Sequence, residues 1–414
     1  MTDTLPAVDF DHNSPEFALD VRGEWRRLRE TCPVAWSRRH GGFWVLTRYE
    51  DVVRAALDDD VFSSARHPAD SGVSAITIPQ KPGNLQPPIE MDPPESTRIR
   101  RFMNGLFTRS ATEETLVPLM RDVIDYCIDQ VCEQGTCDLV EDVAGAASSL
   151  FTLVWLGLPT DDWRRFAKLQ HDATAYPQHT AEFQAAVADY TWQFEIISQT
   201  IAARRAEPRD DVVSFFLAQT INGEPIDEDL VAKMTGLLIA GGVHTMTSLA
   251  GQSLAYLDEH PELRERLRTD DALLEQAVEE FLRYFSPVPG LARTIMADVE
   301  VGGHTLRAGD RCLLGWGSAN HDPDTFEDPA QIDLERRPNR HIAFGIGTHR
   351  CVGAHIGRRG PALMIRRVLE RLGDFRVDTT AARLNPVQGL NSGWAALPCR
   401  FTPSPRVGAA LPTR

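Results

Sequence analysis

The stretch Phe344-Gly-Ile-Gly-Thr-His-Arg-Cys351-Val-Gly353-Ala-His-Ile-Gly357-Arg358 sets one cysteine behind a glycine-rich run. Cys351 stands at the head of a segment, 352–372, whose apolar spacing predicts a helix. The free N–H groups and dipole of a helix start stabilise a thiolate. Glycines at 345, 347 and 353 let the backbone approach closely and aim N–H donors at the sulfur. This setting suits a buried thiolate that ligates a metal. A disulfide or a zinc knuckle fits less well, because no second cysteine lies nearby in the sequence. A cysteine after glycines is in many proteins a small core residue, so the surrounding pattern has to decide.

The chain has 414 residues, 59 acidic and 43 basic, for a formal net charge of −16. At ~150 residues per domain, this length predicts two or three domains. A hydrophobic fraction of 42% with 25% charged residues describes a globular chain that needs no disulfide or metal staple. The acidic balance argues against nucleic acid and anionic membranes as partners. Lysine occurs at Lys81, Lys168 and Lys233, and the remaining basic residues are arginine. No window offers the ~18 uninterrupted apolar residues of a membrane span. Residues 1–20 carry five acidic side chains and no basic run, unlike a secretory leader. Seven scattered cysteines fit a reducing compartment, so the expectation is a cytoplasmic protein.

Patterning predicts a first helix over 14–30, then a hairpin in which Val34-Ala-Trp-Ser and Phe43-Trp-Val-Leu flank His40-Gly41-Gly42. Residues 63–94 are rich in Pro, Gly and Ser with little periodicity, and a loop of that length inside a folded chain is commonly a lid or binding loop. Helical spacing dominates from 95 to about 258, with segments near 110–135, 138–158, 161–176 and 180–205. A longer apolar stretch over 230–257 is interrupted by Gly241-Gly242. A helix over 273–285 stops at Pro287, strands follow at 299–306 and 311–316, and short strands close the chain. The expected class is mainly α with small β-sheets at both ends (α+β).

Taken whole, Phe-Gly-x-Gly-x-His-x-Cys-x-Gly resembles the haem-ligand loop of the cytochromes P450. The resemblance implies haem b, iron protoporphyrin IX, with Cys351 as its axial thiolate. It places Phe344 near that thiolate, Gly353 against the haem and His349 facing a propionate. Glu280-Phe-Leu-Arg283 resembles the family's Glu-x-x-Arg pair, and Arg336 in Asp333-Leu-Glu-Arg336 would complete a buried Glu–Arg–Arg brace. Ala319-Asn-His-Asp-Pro-Asp-Thr-Phe-Glu-Asp-Pro329 is similar to the meander before the ligand loop. Asp92-Pro-Pro-Glu-Ser-Thr-Arg98-Ile-Arg100-Arg101 resembles the helix beside the propionates, with Arg100 as the contact. Many relatives have a histidine where Ser96 stands, so one propionate donor is weakened or replaced. Arg293 and His341 match further propionate partners. The likeness covers nearly the whole chain and implies a single P450 domain over 1–414. In this fold the haem lies between the long central helix and the cysteine-loop helix.

Leu237-Leu-Ile-Ala-Gly241-Gly242-Val243-His244-Thr245 resembles the part of that central helix that crosses the distal haem face. Leu237, Gly241 and Thr245 share one side of a helix at i, i+4, i+8. Each glycine costs a helix about 1 kcal/mol, a cost that fits room for iron-bound oxygen. In the family the threonine hydrogen-bonds the oxygen intermediate and orders a proton-carrying water; a threonine bonded to its own helix carbonyl is the plainer alternative, and the two are compatible. The position before it is usually an acid and is His244 here. Histidine, with an ordinary pKa of about 6.5, also relays protons. His244 is therefore read as a proton relay, a substrate anchor or a surface substitution.

No segment resembles a flavin domain, and the spacing of Cys127, Cys132 and Cys137 is not that of a ferredoxin; these three are expected in or near a helix. The resemblance then implies O2 as co-substrate, NAD(P)H as electron source, and a separate ferredoxin and ferredoxin reductase as carriers. Arg98, Arg101, Arg350, Arg358, Arg359, Arg366 and Arg367 would form a basic docking face, or else solvated helix surface. Substrate contacts are expected from Ile78, Leu85, Leu237, Val243, Val288, Leu291 and Trp394, an apolar set for a moderately hydrophobic organic molecule. The implied reaction is monooxygenation by a monomeric enzyme without membrane or nucleic-acid partners. The alternatives are oxidative coupling, desaturation or rearrangement on the same site, or a non-catalytic haem-thiolate sensor.

Overall fold

The two β-prone runs form the expected hairpin, with Val34 opposite Leu46 and Ser37 opposite Phe43. Arg311–Leu314 adds to it in parallel, and Leu291–Ile295, not singled out by its pattern, pairs antiparallel with Arg311–Leu314. With Ala7–Val8 and Phe62–Ser63 these strands make a six-stranded sheet. Phe43–Leu46 is buried along its whole length. Phe43 and Val45 join one apolar cluster with Phe10, Trp25 and Leu313, while Trp44 and Leu46 join another with Val52, Phe62 and Trp316. The period of two thus feeds a core on each face of the sheet.

This computed structural model describes residues 6–67 and 72–413. They fall into two compact units, one of residues 6–67, 72–101, 280–352 and 386–392, the other of 102–279, 353–385 and 393–413. The first holds the six-stranded sheet, and the second holds most of the helices. The fold is mainly α with small sheets.

In the helical unit the apolar stretch containing Gly241-Gly242 runs without a break as the 32-residue helix Glu228–Glu259. Asp227 caps its start. The helix packs against Ala146–Leu156, Ala181–Ala206 and Ile356–Arg371. All eleven residues of Ala146–Leu156 are buried. The window Leu139–Leu156 is apolar and long enough to cross a membrane by mean composition, but Glu141 and Asp142 interrupt it and 83% of it is buried, as in a core helix.

Several boundaries differ from the pattern. The helix expected over 14–30 breaks at Asp20, φ −146°, whose carboxylate caps Val21–Thr31 by accepting from the Gly23 N–H at 2.9 Å. The segment near 110–135 is α-helical over Arg109–Ala111 and Val117–Asp129, with a wider helical turn over Thr112–Leu116 between them. The last helix begins at Ile356. Cys137 lies in the strand Thr136–Asp138, opposite Cys399, two residues before the helical segment Leu139–Gly145.

Part of the 63–94 loop, residues 68–71, lies outside the described residues. Around the rest, the buried Glu90 carboxylate accepts from Ser74 Oγ at 2.7 Å, Ala75 N at 2.8 Å, Gln86 N at 3.0 Å and Arg66 Nη2 at 2.5 Å. Arg66 also donates to the carbonyls of Gly83 and Asn84. The Ile76 carbonyl accepts from Ala292 N at 2.8 Å, which ties the loop to the sheet. A desolvated carboxylate with four donors organises this segment in place of regular secondary structure.

Candidate functional site

The cysteine loop is built by its backbone. Gly345 and Gly347 have φ +67° and +75°. A Cβ on Gly347 would meet the Ala56 carbonyl at 2.8 Å, so conformation and space both require glycine there. The Cys351 N–H donates to the Phe344 carbonyl at 2.8 Å, folding the loop back on itself. Cys351 is exposed, where a buried thiolate was expected. The regular helix begins five residues later, at Ile356, so the turns of the loop, and not a helix start, position the sulfur. Gly353 has no tight protein neighbour: a Cβ there would lie 3.6 Å from Ile356 and from Phe107. Phe344 is half-buried and lies 6.2 Å, ring to ring, from His341.

Cationic side chains gather in the same unit. Arg293, 3% exposed in its strand, donates Nη1 to the Ala292 carbonyl at 2.9 Å, while its Nε has no hydrogen-bond partner among the described residues. Burial lowers its pKa to about 10, against the pull of Asp59 and Asp92. His349 is likewise lowered to about 4, by burial first and then by Arg293, and its Nε2 is also without a hydrogen bond. Arg100 is pushed down by burial, with Cys351 opposing the shift. The Ala343 N–H donates to His341 Nδ1 at 3.3 Å, so the neutral ring carries its proton on Nε2. Ser96 is fully buried, and its Oγ has no hydrogen-bond partner among the described residues. Buried guanidinium and imidazole donors left over in one place call for an anion of matching size. The two carboxylates of a porphyrin have that chemistry, so these residues fit haem.

The brace assembles around one carboxylate. Glu280, 1% exposed, accepts from Arg283 at 2.8 and 2.7 Å, from Arg336 Nε at 3.1 Å, and from Asn339 Nδ2 at 3.1 Å. Arg283, fully buried, spends its remaining donors on the carbonyls of Asn320, Pro329 and Gln331, which pins the 320–340 meander. Asn339 carries no sequence signal for this role.

On Glu228–Glu259, Leu237, Gly241 and Thr245 form a stripe that neighbouring side chains leave open. Thr245 Oγ1 donates to the Gly241 carbonyl at 2.8 Å. The two glycines differ. A Cβ on Gly242 would meet Thr152 Oγ1 at 2.7 Å, whereas one on Gly241 meets nothing within 4 Å. Gly242 therefore serves helix packing, and Gly241 keeps the stripe open. His244 is 5% exposed, which removes the surface-substitution reading. Its Nδ1 lies 2.9 Å from Thr174 Oγ1, and its ring meets His171 edge-on at 5.4 Å. His171 in turn contacts Asp172 at 2.9 Å and Asn385 at 3.1 Å. Burial raises the Asp172 pKa, but hydrogen bonds from His171 and Lys168 outweigh it and hold the carboxyl below its usual range. Nothing in the spacing of 168–174 announces this cluster.

Of the expected substrate residues, Leu85, Leu237, Val288, Leu291 and Trp394 are partly exposed. Ile78 is not available: it sits in the core with Phe10, Phe17 and Trp25. Val243, 3% exposed, points away from the open stripe because it lies near the opposite side of the helix. The expected basic face is also altered. Arg358 pairs with Glu279 at 2.6 Å, Arg359 with Glu113 at 3.0 Å, Arg366 with Asp271, and Arg367 with Asp125 at 2.6 Å. Arg101 and Arg350 are exposed and have no ion pair among the described residues.

A family model described as Cytochrome P450 matches residues 146–388. The steroid C26-monooxygenase of Mycobacterium tuberculosis (strain ATCC 25618 / H37Rv) is 32% identical over 408 residues, which is 97% of this chain and 99% of the relative. The mycinamicin IV hydroxylase/epoxidase of Micromonospora griseorubida is 33% identical, over 90% of this chain and 93% of its own. A Mycobacterium marinum cytochrome P450 solved in complex with pseudoionone superposes with a TM-score of 0.86 at 25% identity, over 97% of this chain and all of the neighbour. With this likeness along nearly its full length, the chain belongs to the cytochrome P450 family and is a haem-thiolate monooxygenase.

Proposed function

We propose that the Cys351 thiolate would hold the iron of haem b and that the enzyme inserts one atom of O2 into a moderately hydrophobic small organic molecule. The observation that carries this reading is the open stripe of Leu237, Gly241 and Thr245, which joins an apolar side chain, an uncovered backbone and one hydroxyl without a formal charge. When bound, the haem supplies oxygen binding and activation. Arg100, Arg293, His341 and His349 would hold its propionates, and Phe344 and Gly353 would lie beside it. Glu280, Arg283 and Arg336 keep the meander, and with it the cysteine loop, in place. Thr245 Oγ1 orients a proton toward the stripe. His244, with Nδ1 engaged by Thr174, takes up and releases a proton at Nε2.

Leu85, Leu237, Val288, Leu291 and Trp394 contact substrate. A steroid, mycinamicin IV and pseudoionone are the compounds named for three relatives, which supports an organic substrate of comparable character. Electrons come from NAD(P)H through a separate ferredoxin and its reductase, which dock on the side of Arg101 and Arg350. Both units are assembled from interleaved stretches of chain, which supports one functional domain. The enzyme acts as a cytoplasmic monomer.

The test is a spectral-shift screen of the holoenzyme against steroids and terpenoids, followed by turnover of the best binder under oxygen-18 gas with a surrogate ferredoxin pair. One labelled oxygen in the product is expected. A product lacking the label, or a desaturated or coupled product, overturns oxygen insertion. A reduced-CO spectrum without the thiolate band in Cys351→Ser, with the band present in the parent, is the expected result for the ligand assignment.

A further inference from the structure

The seven cysteines offer one pairing that the haem site does not use. Thr136–Asp138 and Pro398–Arg400 lie antiparallel in a three-stranded sheet, with Cys137 directly opposite Cys399. Their sulfurs are 3.6 Å apart. The register is held on both sides, by Leu139 N to the Leu397 carbonyl and by Phe401 N to the Gly135 carbonyl, each 3.0 Å. These bonds put Cys137 and Cys399 in the hydrogen-bonded phase of the ladder, where opposed Cα atoms are about 5.5 Å apart. A disulfide accepts Cα separations of about 4.4–6.8 Å. The strands can therefore stay in place while side-chain rotation brings the sulfurs together.

We propose that Cys137 and Cys399 are an oxidation-sensitive dithiol, a modification site at which a hydroperoxide closes a disulfide between the two strands. Cys137 is half-buried and Cys399 buried, so the oxidant meets Cys137 and Cys399 resolves it. The Cys137 thiolate attacks one peroxide oxygen. Sulfur gains that oxygen as a sulfenic acid and gives up two electrons, the O–O bond breaks, and the second oxygen leaves as hydroxide. Cys399 sulfur then attacks Cys137 sulfur, the S–S bond forms, and the sulfenic oxygen leaves and is protonated to water. In sum, two thiols and one hydrogen peroxide give one disulfide and two waters. The hydrogen bond with Cys399, together with burial, pushes the Cys137 thiol up, which slows the attack because the thiolate is the nucleophile. Two electrons and two protons delivered to O2 without product make hydrogen peroxide. That source rests on the monooxygenase reading, whereas the test below adds the oxidant and does not depend on it.

The experiment treats holoenzyme with hydrogen peroxide, alkylates the remaining thiols under denaturing conditions, and maps the peptides. The expected result is a fall from seven alkylated thiols to five. It comes with a cross-linked Cys137–Cys399 peptide pair, lighter than its reduced parts by two hydrogens and restored by dithiothreitol. Cys137→Ser should lose the cross-link and keep Cys399 alkylated. Seven alkylated thiols after treatment, or thiol loss confined to other cysteines, overturns the proposal. So does conversion of Cys137 to sulfonic acid with Cys399 untouched.

Discussion

Glu280 shows how a single residue converts sequence proximity into tertiary order. Its partner Arg283 lies on the same helix at i, i+3, a spacing that exposed helices carry without consequence. What makes the pair matter is burial, with Glu280 1% exposed and Arg283 fully buried. Removing one member of a desolvated pair leaves an uncompensated charge, so Arg283→Ala should cost about 3–5 kcal/mol in a urea titration. A loss below about 1 kcal/mol would show that Arg336 and Asn339 carry the carboxylate alone. His244 makes the opposite point. Its identity departs from the family pattern, and only its surroundings assign it. Buried against Thr174 and His171, it is built into the helical unit. His244→Ala is expected to lower product formed per NAD(P)H several-fold with haem content unchanged. Unaltered coupling would remove the relay role.

At the scale of elements, the helix Glu228–Glu259 separates two glycines that look equivalent in the sequence. Thr152 Oγ1 donates to the Ser148 carbonyl at 2.8 Å and cannot easily yield to a new methyl group. Gly242→Ala is therefore expected to lose about 1–3 kcal/mol by overpacking, more than the helix gains from alanine. Gly241→Ala meets no obstacle and should gain about 1 kcal/mol. Thermal unfolding of the two variants in opposite directions is the expected pattern; equal shifts would contradict the assignment of Gly242 to packing. The hairpin at Val34–Ser37 and Phe43–Leu46 was legible because a period of two and a Gly-Gly turn are local. The break at Asp20, the strand at Leu291–Ile295 and the Cys137–Cys399 pairing were not, because each depends on a cap or partner whose fit the local pattern does not encode.

Across the whole molecule, buried histidines set the response to acid. Burial lowers His12 to about 4, and burial with Arg283 nearby lowers His321 to about 3. Both titrate near pH 6.5 when unfolded, so between pH 6.5 and about 4 the unfolded chain binds more protons than the folded one. Stability is complete above pH 6.5 and falls below it, by about 1.4 kcal/mol per pH unit for each histidine. Asp129 adds to the loss lower down. Burial opposes its ionisation, yet the Arg371 ion pair and three N–H donors from residues 407–409 hold it at about 2. The C-terminal tail should therefore loosen last, as pH falls below about 4. Unfolding free energies from urea titrations between pH 7 and 4 check this, and a flat profile, or one unchanged by His12→Gln, would contradict it. By itself the sequence determined the family, the cysteine loop, the Glu–Arg brace and the glycine-threonine helix, because each is a short pattern of residue types whose chemistry requires that spacing. Only the tertiary structure decided which apolar residues are core and which are open, as with Ile78 and Leu237, and which arginines are already neutralised by a carboxylate. Exposure and charge pairing depend on partners brought together by folding, and no local pattern records them.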